Sequence, residues 1–485
     1  MDIQSFIEIE KKYNLLDASI EGYYFWIYIR TGVAWEFEKA QQGLGEAHRE
    51  KKENISKKIK LIFEKTKNIL RFGRLPNQQY DVLVLNHPRR VLVDNLYECI
   101  YTDSIVEKIN STITLEESYQ NMHYRPAKTS NLIYTDIIDW KSYLYCVLQR
   151  YFHRKKYNQN KKYMLQKITK PLEELNKIYG VSISAEKFGD MLICGLYMHK
   201  IELEYYRKAI QMIKPKVILE VVSYSRKCMV VNEIANEKEI PTIEIQHGTI
   251  GAEHIAYNYP KNSIVKQFPD YIFLYSKYWK DKARFPIKRD NLIAVGYPYL
   301  DRMVAKYSYR RKEKRGEKNI LFLSSGPIGK KLADIAVQLE KIFVYENFHI
   351  IFKLHPGEYA DWRETYPNLQ GTKIEVIDDN RTNLYELFSI SDIQIGGYNS
   401  TTIFEGLSFY LDTYILNYCV SKEIKDLCAD GIASYFEDAI DLAEQIKKNK
   451  EKYEQKKVEF WEKDSMSKVI NQMNRIKRND TFMEK

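Results

Sequence analysis

NILFLSSGPIGKKLADIAVQLEKIFVYENFHIIFKLHPGE, residues 319–358, is the stretch on which the fold turns. It opens with an apolar run at 319–323 and closes with another at 349–354. Between them lies a segment with helical spacing that reaches about Tyr345. Two short apolar runs joined by a helix form a parallel strand–helix–strand unit. The glycines tempt a phosphate-loop reading of SSGPIGKK. That reading fails, because Ser324 stands where the first glycine is required and Lys331 where a Ser or Thr is.

The pattern continues on both sides. Downstream, strands are expected at 373–377, 393–395 and 413–416, with helices at 382–391 and 400–409. Upstream, residues 81–85 (DVLVL), 216–222 (KVILEVV), 242–245, 271–275 and 292–295 read as buried parallel strands, with helical segments at 137–213 and 226–238. The charged, apolar-free run RRKEKRGEK at 310–318 separates the two sets. The expected architecture is α/β: two Rossmann-like domains facing a cleft, with a helical N-terminal extension. The expected division is 1–75 extension, 76–305 acceptor domain with a helical insertion, 306–455 nucleotide-donor domain and 456–485 helical tail.

Composition narrows the function. Of 485 residues, 44 % are hydrophobic and 29 % charged. No apolar run approaches the ~20 residues that span a bilayer, and the start MDIQSFIEIEKKYN lacks the form of a secretory signal. A cytoplasmic location is expected. The six cysteines form no CxxC pair, which argues against zinc. A net charge of +10 suits a nucleotide or an anionic surface, while no nucleic-acid-binding signature is present. The lysine-rich amphipathic segment at 50–69 marks a candidate peripheral membrane contact.

Three polar clusters sit at expected strand ends, where open α/β sheets bind ligands. The first, TIEIQHGTIGAEH at 242–254, offers His247 as a general base. The second, IIFKLHPGE at 350–358, offers Lys353, His355 and Glu358 to a donor phosphate, with His355 able to stabilise the leaving group. The third, IGGYNSTTIFEGL at 395–407, places Asn399, Ser400, Thr401 and Thr402 at a helix start. There they would bind phosphate, and Glu405 ribose hydroxyls. Thr402 and Glu405 also have plain capping-box spacing. Ser324, Ser325 and Gly326 are further donor contacts. His87, Arg89, Ser223 and Arg226 are acceptor contacts.

The His355-Pro356 step, the Ser400-to-Glu405 helix start and the Gly296-Tyr297-Pro298 step resemble the GT-B enzymes of bacterial capsule and teichoic acid assembly. Those include capsule polysaccharide transferases, polysialyltransferases and CDP-glycerol glycerophosphotransferases. The resemblance covers mainly residues 215–420. It implies a nucleotide held by the C-terminal domain, a glycan or glycolipid acceptor held by the N-terminal one, and no obligatory metal or other cofactor. His355 would contact the donor phosphate, while the base role of His247 rests on its position alone. Many retaining members carry two glutamates with seven residues between them. Here the residue eight after Glu405 is Thr413, which favours inversion. The expected function is sugar transfer from a nucleotide-activated donor to a surface polysaccharide. The alternatives are CDP-polyol phosphate transfer, nucleotide-sugar epimerisation and a non-catalytic assembly role.

Overall fold

Strands buried on both faces need side chains that are apolar throughout, and runs such as VLVL and VILEV supply them. The computed structural model describes residues 2–41, 55–307, 318–326, 328–379, 381–398, 401–418, 420–448 and 459–478. The chain forms two units. The first comprises Met1–His247, Ala252–Pro298 and Asp464–Lys485, and the second Gly248–Gly251 and Tyr299–Lys463. The break therefore falls at Pro298, ahead of the expected 305/306.

The first unit contains β1 (Val82–Leu85), β2 (Val91–Val93), β3 (Leu96–Glu98), β4 (Thr112–Glu116), β5 (Leu132–Tyr134), β6 (Val217–Val221), β7 (Thr242–Ile245), β8 (Tyr271–Leu274) and β9 (Leu292–Ala294). Seven of them make a parallel sheet in the order β5-β4-β1-β6-β7-β8-β9, and β2 and β3 form a separate hairpin. The strand order reverses between β1 and β6, so the carboxyl ends of these strands flank a topological switch point. One sheet face packs on the helices Gly189–Ile213 and Arg226–Glu237. The other is covered by the helix Ser465–Lys477 through Val469, Met473 and Ile476.

The N-terminal helices are not an appendage. Ile3–Lys12 and Phe25–Gln41 share one apolar core with Arg154–Tyr179 and Gly189–Ile213. A buried ion pair ties them together. Arg30 meets Glu10 at 2.8 Å and donates to the carbonyls of Ile255 and Asn258, and the Trp26 indole also donates to Glu10. Desolvation makes such a pair costly to break by one partner, about 3–5 kcal/mol. The segment at 50–69 falls partly outside the described residues, namely residues 50–54 and the side chains of 55–62. In the remainder of its helix, Ile55–Phe72, Ile69 is buried and Lys65 pairs with Asp136 at 2.9 Å.

The second unit contains β10 (Lys318–Leu323), β11 (Phe348–Lys353), β12 (Glu375–Ile377), β13 (Ile393–Gly396), β14 (Asp412–Leu416) and β15 (Ser434–Phe436), all parallel, in the order β12-β11-β10-β13-β14-β15. Here the order reverses between β10 and β13. The helix Gly329–Ile342 starts beyond the β10 end. Phe460 packs on Phe404, and the Trp461 indole donates to the Phe404 carbonyl, which fixes residues 460–461 on this unit. Among the described residues, no helix is long and apolar enough to cross a membrane.

Candidate active site

In the first unit, the loops after β1, β6 and β7 gather His87, Ser223, Tyr224 and His247 at the switch point. Tyr101 lies edge-on to both imidazoles, with centroids 5.8 Å from His87 and 6.2 Å from His247. Nε2 of His247 is 3.2 Å from the Tyr224 hydroxyl, and Nδ1 is 3.7 Å from Oε1 of Glu244. That carboxylate is itself fully buried. It accepts from the Ser223 N–H at 3.1 Å and the Tyr257 hydroxyl at 2.6 Å, so its position is fixed from two sides. The His254 ring packs at a tilt against Tyr224 and Tyr257, with centroids 5.4 and 4.9 Å apart.

Two of the three imidazoles are held neutral. Burial, reinforced by the neighbouring His247, pulls both His87 and His254 down to about 4. Both are therefore neutral near pH 7. His87 accepts the Arg89 N–H on Nδ1 at 3.1 Å, which leaves its proton on Nε2.

Two expected acceptor contacts divide differently. Arg89 is exposed. Arg226 is committed elsewhere: it pairs with Glu202 at 2.8 Å, donates to the Gly195 carbonyl at 2.7 Å and stacks near Tyr23 and Tyr28. It is a strut between helices, because a half-buried guanidinium needs these partners to offset its desolvation. Arg90 is likewise spent on Glu116 and Asp103.

In the second unit, Ser324 and Ser325 lie at the switch point with their hydroxyls buried, just ahead of the helix at Gly329. A Cβ on Gly329 would come within 2.3 Å of the Tyr366 hydroxyl, 2.8 Å of Ser324 Oγ and 3.0 Å of Glu358 Oε1. Only glycine lets the helix start so close to these groups. Its free N–H groups suit an anion. His355 is exposed, and its Nδ1 accepts the Gly357 N–H at 3.1 Å, so the neutral ring carries its proton on Nε2.

The neighbours of His355 are structural. Glu358, expected on the donor, accepts from the His355 N–H at 2.8 Å and the Tyr366 hydroxyl at 2.6 Å, closing a capping box. Lys353 is buried and bonds the Tyr359 hydroxyl and, at 2.8 Å, the Asp379 carbonyl. Burial lowers it to about 8 against the pull of Asp379 and Asp378. Glu405 accepts from Tyr385 at 2.7 Å, and burial raises it to about 7. That makes it a poor charged acceptor for ribose at neutral pH. Thr401 and Thr402 open the helix Thr401–Leu407, while Asn399 and Ser400 lie outside the described residues. The glycines of this motif serve packing: a Cβ on Gly406 would sit 2.0 Å from Gln394 Oε1, and one on Gly396 2.7 Å from Ile403.

Tyr101, Tyr224, Glu244 and His254 complete the first-unit cluster without having been anticipated. Glu244 left a trace, since a carboxylate interrupts the apolar strand TIEI, and His254 ends the segment already singled out for His247. Among the described residues, no three His, Cys, Asp or Glu side chains converge to hold a metal.

Residues 141–409, 269 of the 485, match the model of the family CDP-glycerol:poly(glycerophosphate) glycerophosphotransferase. The chain belongs to this family. The matched span includes both strand-end histidines, His247 and His355. The family makes the chain a nucleotide-linked transferase, in keeping with the resemblance to teichoic acid enzymes. No curated protein sequence matches it. Among solved structures, the UDP-GlcNAc 2-epimerase of Methanocaldococcus jannaschii is similar at 11 % identity and a TM-score of 0.49, over 81 % of this chain and 99 % of that one. The wall teichoic acid polymerase TagF is similar at 13 % identity and a TM-score of 0.41, over 87 % and 93 %. A glycosyltransferase of Rickettsia africae stands at 15 % and 0.38, over 83 % and 97 %.

Proposed function

We propose that this chain transfers a polyol phosphate from a CDP-polyol to a terminal hydroxyl of a growing bacterial surface polymer. Membership of the glycerophosphotransferase family is the observation that carries this reading, and it moves phosphate transfer ahead of sugar transfer. The acceptor oxygen attacks the polyol-bearing phosphorus, the new O–P bond forms, and the P–O bond to CMP breaks. His247 takes the hydroxyl proton. Tyr224 and the buried Glu244 orient the ring, and His87 and His254 stay neutral around it. The second unit binds the donor. The Gly329 helix start, Ser324, Ser325, Thr401 and Thr402 offer donors to phosphate, and His355 presents an imidazole to the leaving group. No metal is required in this scheme, and the reaction runs on the cytoplasmic side.

The second reading is sugar transfer to a capsular glycan. It rests on the Gly296-Tyr297-Pro298 and Ser400-to-Glu405 motifs, which resemble the enzymes of capsule as well as of teichoic acid assembly. The leaving nucleotide separates the two. The purified enzyme is offered CDP-glycerol, CDP-ribitol, UDP-GlcNAc and GDP-mannose with a polymer primer, with and without EDTA. Phosphate transfer releases CMP, and sugar transfer releases a nucleoside diphosphate. His247→Asn should slow CMP release by about 10²–10⁴-fold with donor binding intact. Diphosphate release, or full activity in that variant, defeats the proposal.

A further inference from the structure

Two cysteines meet inside the first unit. Cys146 ends the buried row Ile138, Ser142 and Cys146 on the helix Ile137–Phe152, and Cys194 lies on the neighbouring helix Gly189–Ile213. Their sulfurs are 3.0 Å apart, with Cys146 donating to Cys194, although 48 residues separate them in sequence. A disulfide holds its sulfurs about 2.05 Å apart, so an approach of about 1 Å closes the bond. The backbone around Cys194 is firmly seated. The next residue, Gly195, has a carbonyl that accepts from Arg226 at 2.7 Å, and a Cβ there would come within 2.4 Å of the Tyr23 hydroxyl.

The two thiols divide the roles that oxidation needs. Cys194 is half-buried and reachable, while Cys146 is only 8 % exposed. The hydrogen bond from Cys146 favours the Cys194 thiolate and holds it below the ordinary thiol range. Tyr157 and Lys161 add to that pull, against desolvation and Asp190. The same bond keeps the proton on Cys146. An accessible thiolate beside a second, protonated thiol is the arrangement in which oxidation is both selective and reversible. Cys99, Cys228 and Cys428 differ. Burial pushes Cys99 and Cys428 up to about 11 and raises Cys228 as well, so they stay protonated near pH 7.

We propose that Cys146 and Cys194 form an oxidative modification site, closed to a disulfide by hydrogen peroxide and reopened by small thiols. The Cys194 thiolate attacks one peroxide oxygen, and the O–O bond breaks. The hydroxide that leaves takes up the proton Cys194 had shed, and Cys194 becomes a sulfenic acid. Cys146 then attacks the Cys194 sulfur, the S–O bond breaks, and a second water leaves with the Cys146 proton. In sum, two thiols and one peroxide give one disulfide and two waters. The sulfurs lose two electrons and the peroxide oxygens gain them. Two molecules of a small thiol reverse the change by exchange. In a reducing compartment, the disulfides that do form are mostly of this transient kind. The bond staples the helix Ile137–Phe152 to Gly189–Ile213, and the site is independent of which group the enzyme transfers.

The test is peptide mass spectrometry of the full chain, purified with dithiothreitol, desalted, treated with hydrogen peroxide, then unfolded and alkylated. Cys146→Ser and Cys194→Ser are treated alike, with dimedone present to trap sulfenic acid. The wild type should yield the peptide of Cys146 linked to that of Cys194 within one chain, and dithiothreitol should release both. Conversion at this pair should exceed that at Cys99, Cys228 or Cys428 by at least about tenfold. Cys146→Ser should carry dimedone on Cys194, and Cys194→Ser should keep Cys146 reduced. The wild-type arm needs no variant, so a variant that misfolds leaves the test standing. Unlinked Cys146 and Cys194 in peroxide-treated wild type overturn the proposal. So does a link found only between chains, one that dithiothreitol cannot reopen, or oxidation of Cys428 to the same extent. Dimedone on Cys146 in folded Cys194→Ser overturns the assignment of roles.

Discussion

Glu220→Gln should make the protein more stable at alkaline pH. Glu220 sits on β6 in the middle of the first sheet and is fully buried. Its Oε1 accepts from Asn232 at 3.0 Å, while its Oε2 and the Asn232 Oδ1 are buried without a hydrogen-bond partner among the described residues. Burial pushes this carboxyl from its ordinary 4.5 up to about 8. Between those values the folded chain keeps the proton and the unfolded chain has lost it. The native state therefore binds more protons, and stability falls as pH rises through the window. At about 1.4 kcal/mol per pH step, the loss above pH 8 is at most about 5 kcal/mol. Relaxation and water entry reduce it to about 2–4 kcal/mol. The amide introduced by the substitution does not ionise, and it can donate to Asn232 Oδ1. For a unit of roughly 300 residues, with an unfolding entropy of ~0.6 kcal/mol/K, the expected gain at pH 9 is about 3–7 °C. Thermal unfolding of both proteins from pH 5 to 9 checks this. The curves should meet near pH 5 and separate progressively. Parallel curves would refute the reasoning, since they would mean that Glu220 is ionised in the folded protein across the range.

Arg226→Ala should cost about 3–5 kcal/mol of stability, read by urea unfolding, because it strands the buried Glu202. A variant with normal stability and impaired acceptor use would return Arg226 to the acceptor site. Gly329→Ala should destabilise the second unit by about 1–3 kcal/mol, since its Cβ would collide with the Tyr366 hydroxyl. Differential scanning calorimetry would show the loss. Tyr224→Phe removes one hydrogen bond to the His247 ring, worth about 1 kcal/mol. Turnover should fall about fivefold to tenfold with an unchanged thermal midpoint, and unaltered turnover would detach Tyr224 from the site.

The two sheets were legible because their central strands are continuous apolar runs separated by helical spacing. The strands that escaped are those without that signature. β4, TITLE, alternates threonine with aliphatic residues, and β5 is three residues long. Strand order was also hidden. The chain leaves β5, runs through three long helices and returns as β6 on the other side of β1. No local pattern records where such a crossover lands. The strand-end clusters were legible for a related reason, because polar residues stand out where an apolar run stops. The partner of each residue was not. Glu358 looks like a ligand for a substrate until Tyr366 and the His355 N–H occupy both its oxygens, and Arg226 until Glu202, 24 residues upstream, takes its charge.

That sorting has a chemical logic. A buried arginine or carboxylate at a strand end must be paired, and once paired it is fixed in one charge state and one place. The buried Arg90 and Glu244 follow this rule, the half-buried Arg226 and Glu358 are bonded likewise, and each holds backbone or side chains in position. A neutral imidazole escapes it, because it can be buried at modest cost with one hydrogen bond and still accept a proton during a reaction. The first switch point uses imidazole three times, in His87, His247 and His254, with two of the rings held neutral by burial. The charged residues thus build a rigid frame around the imidazoles. The base in the proposed hydroxyl attack has a matching need: it must be uncharged before attack and tolerate a positive charge after it.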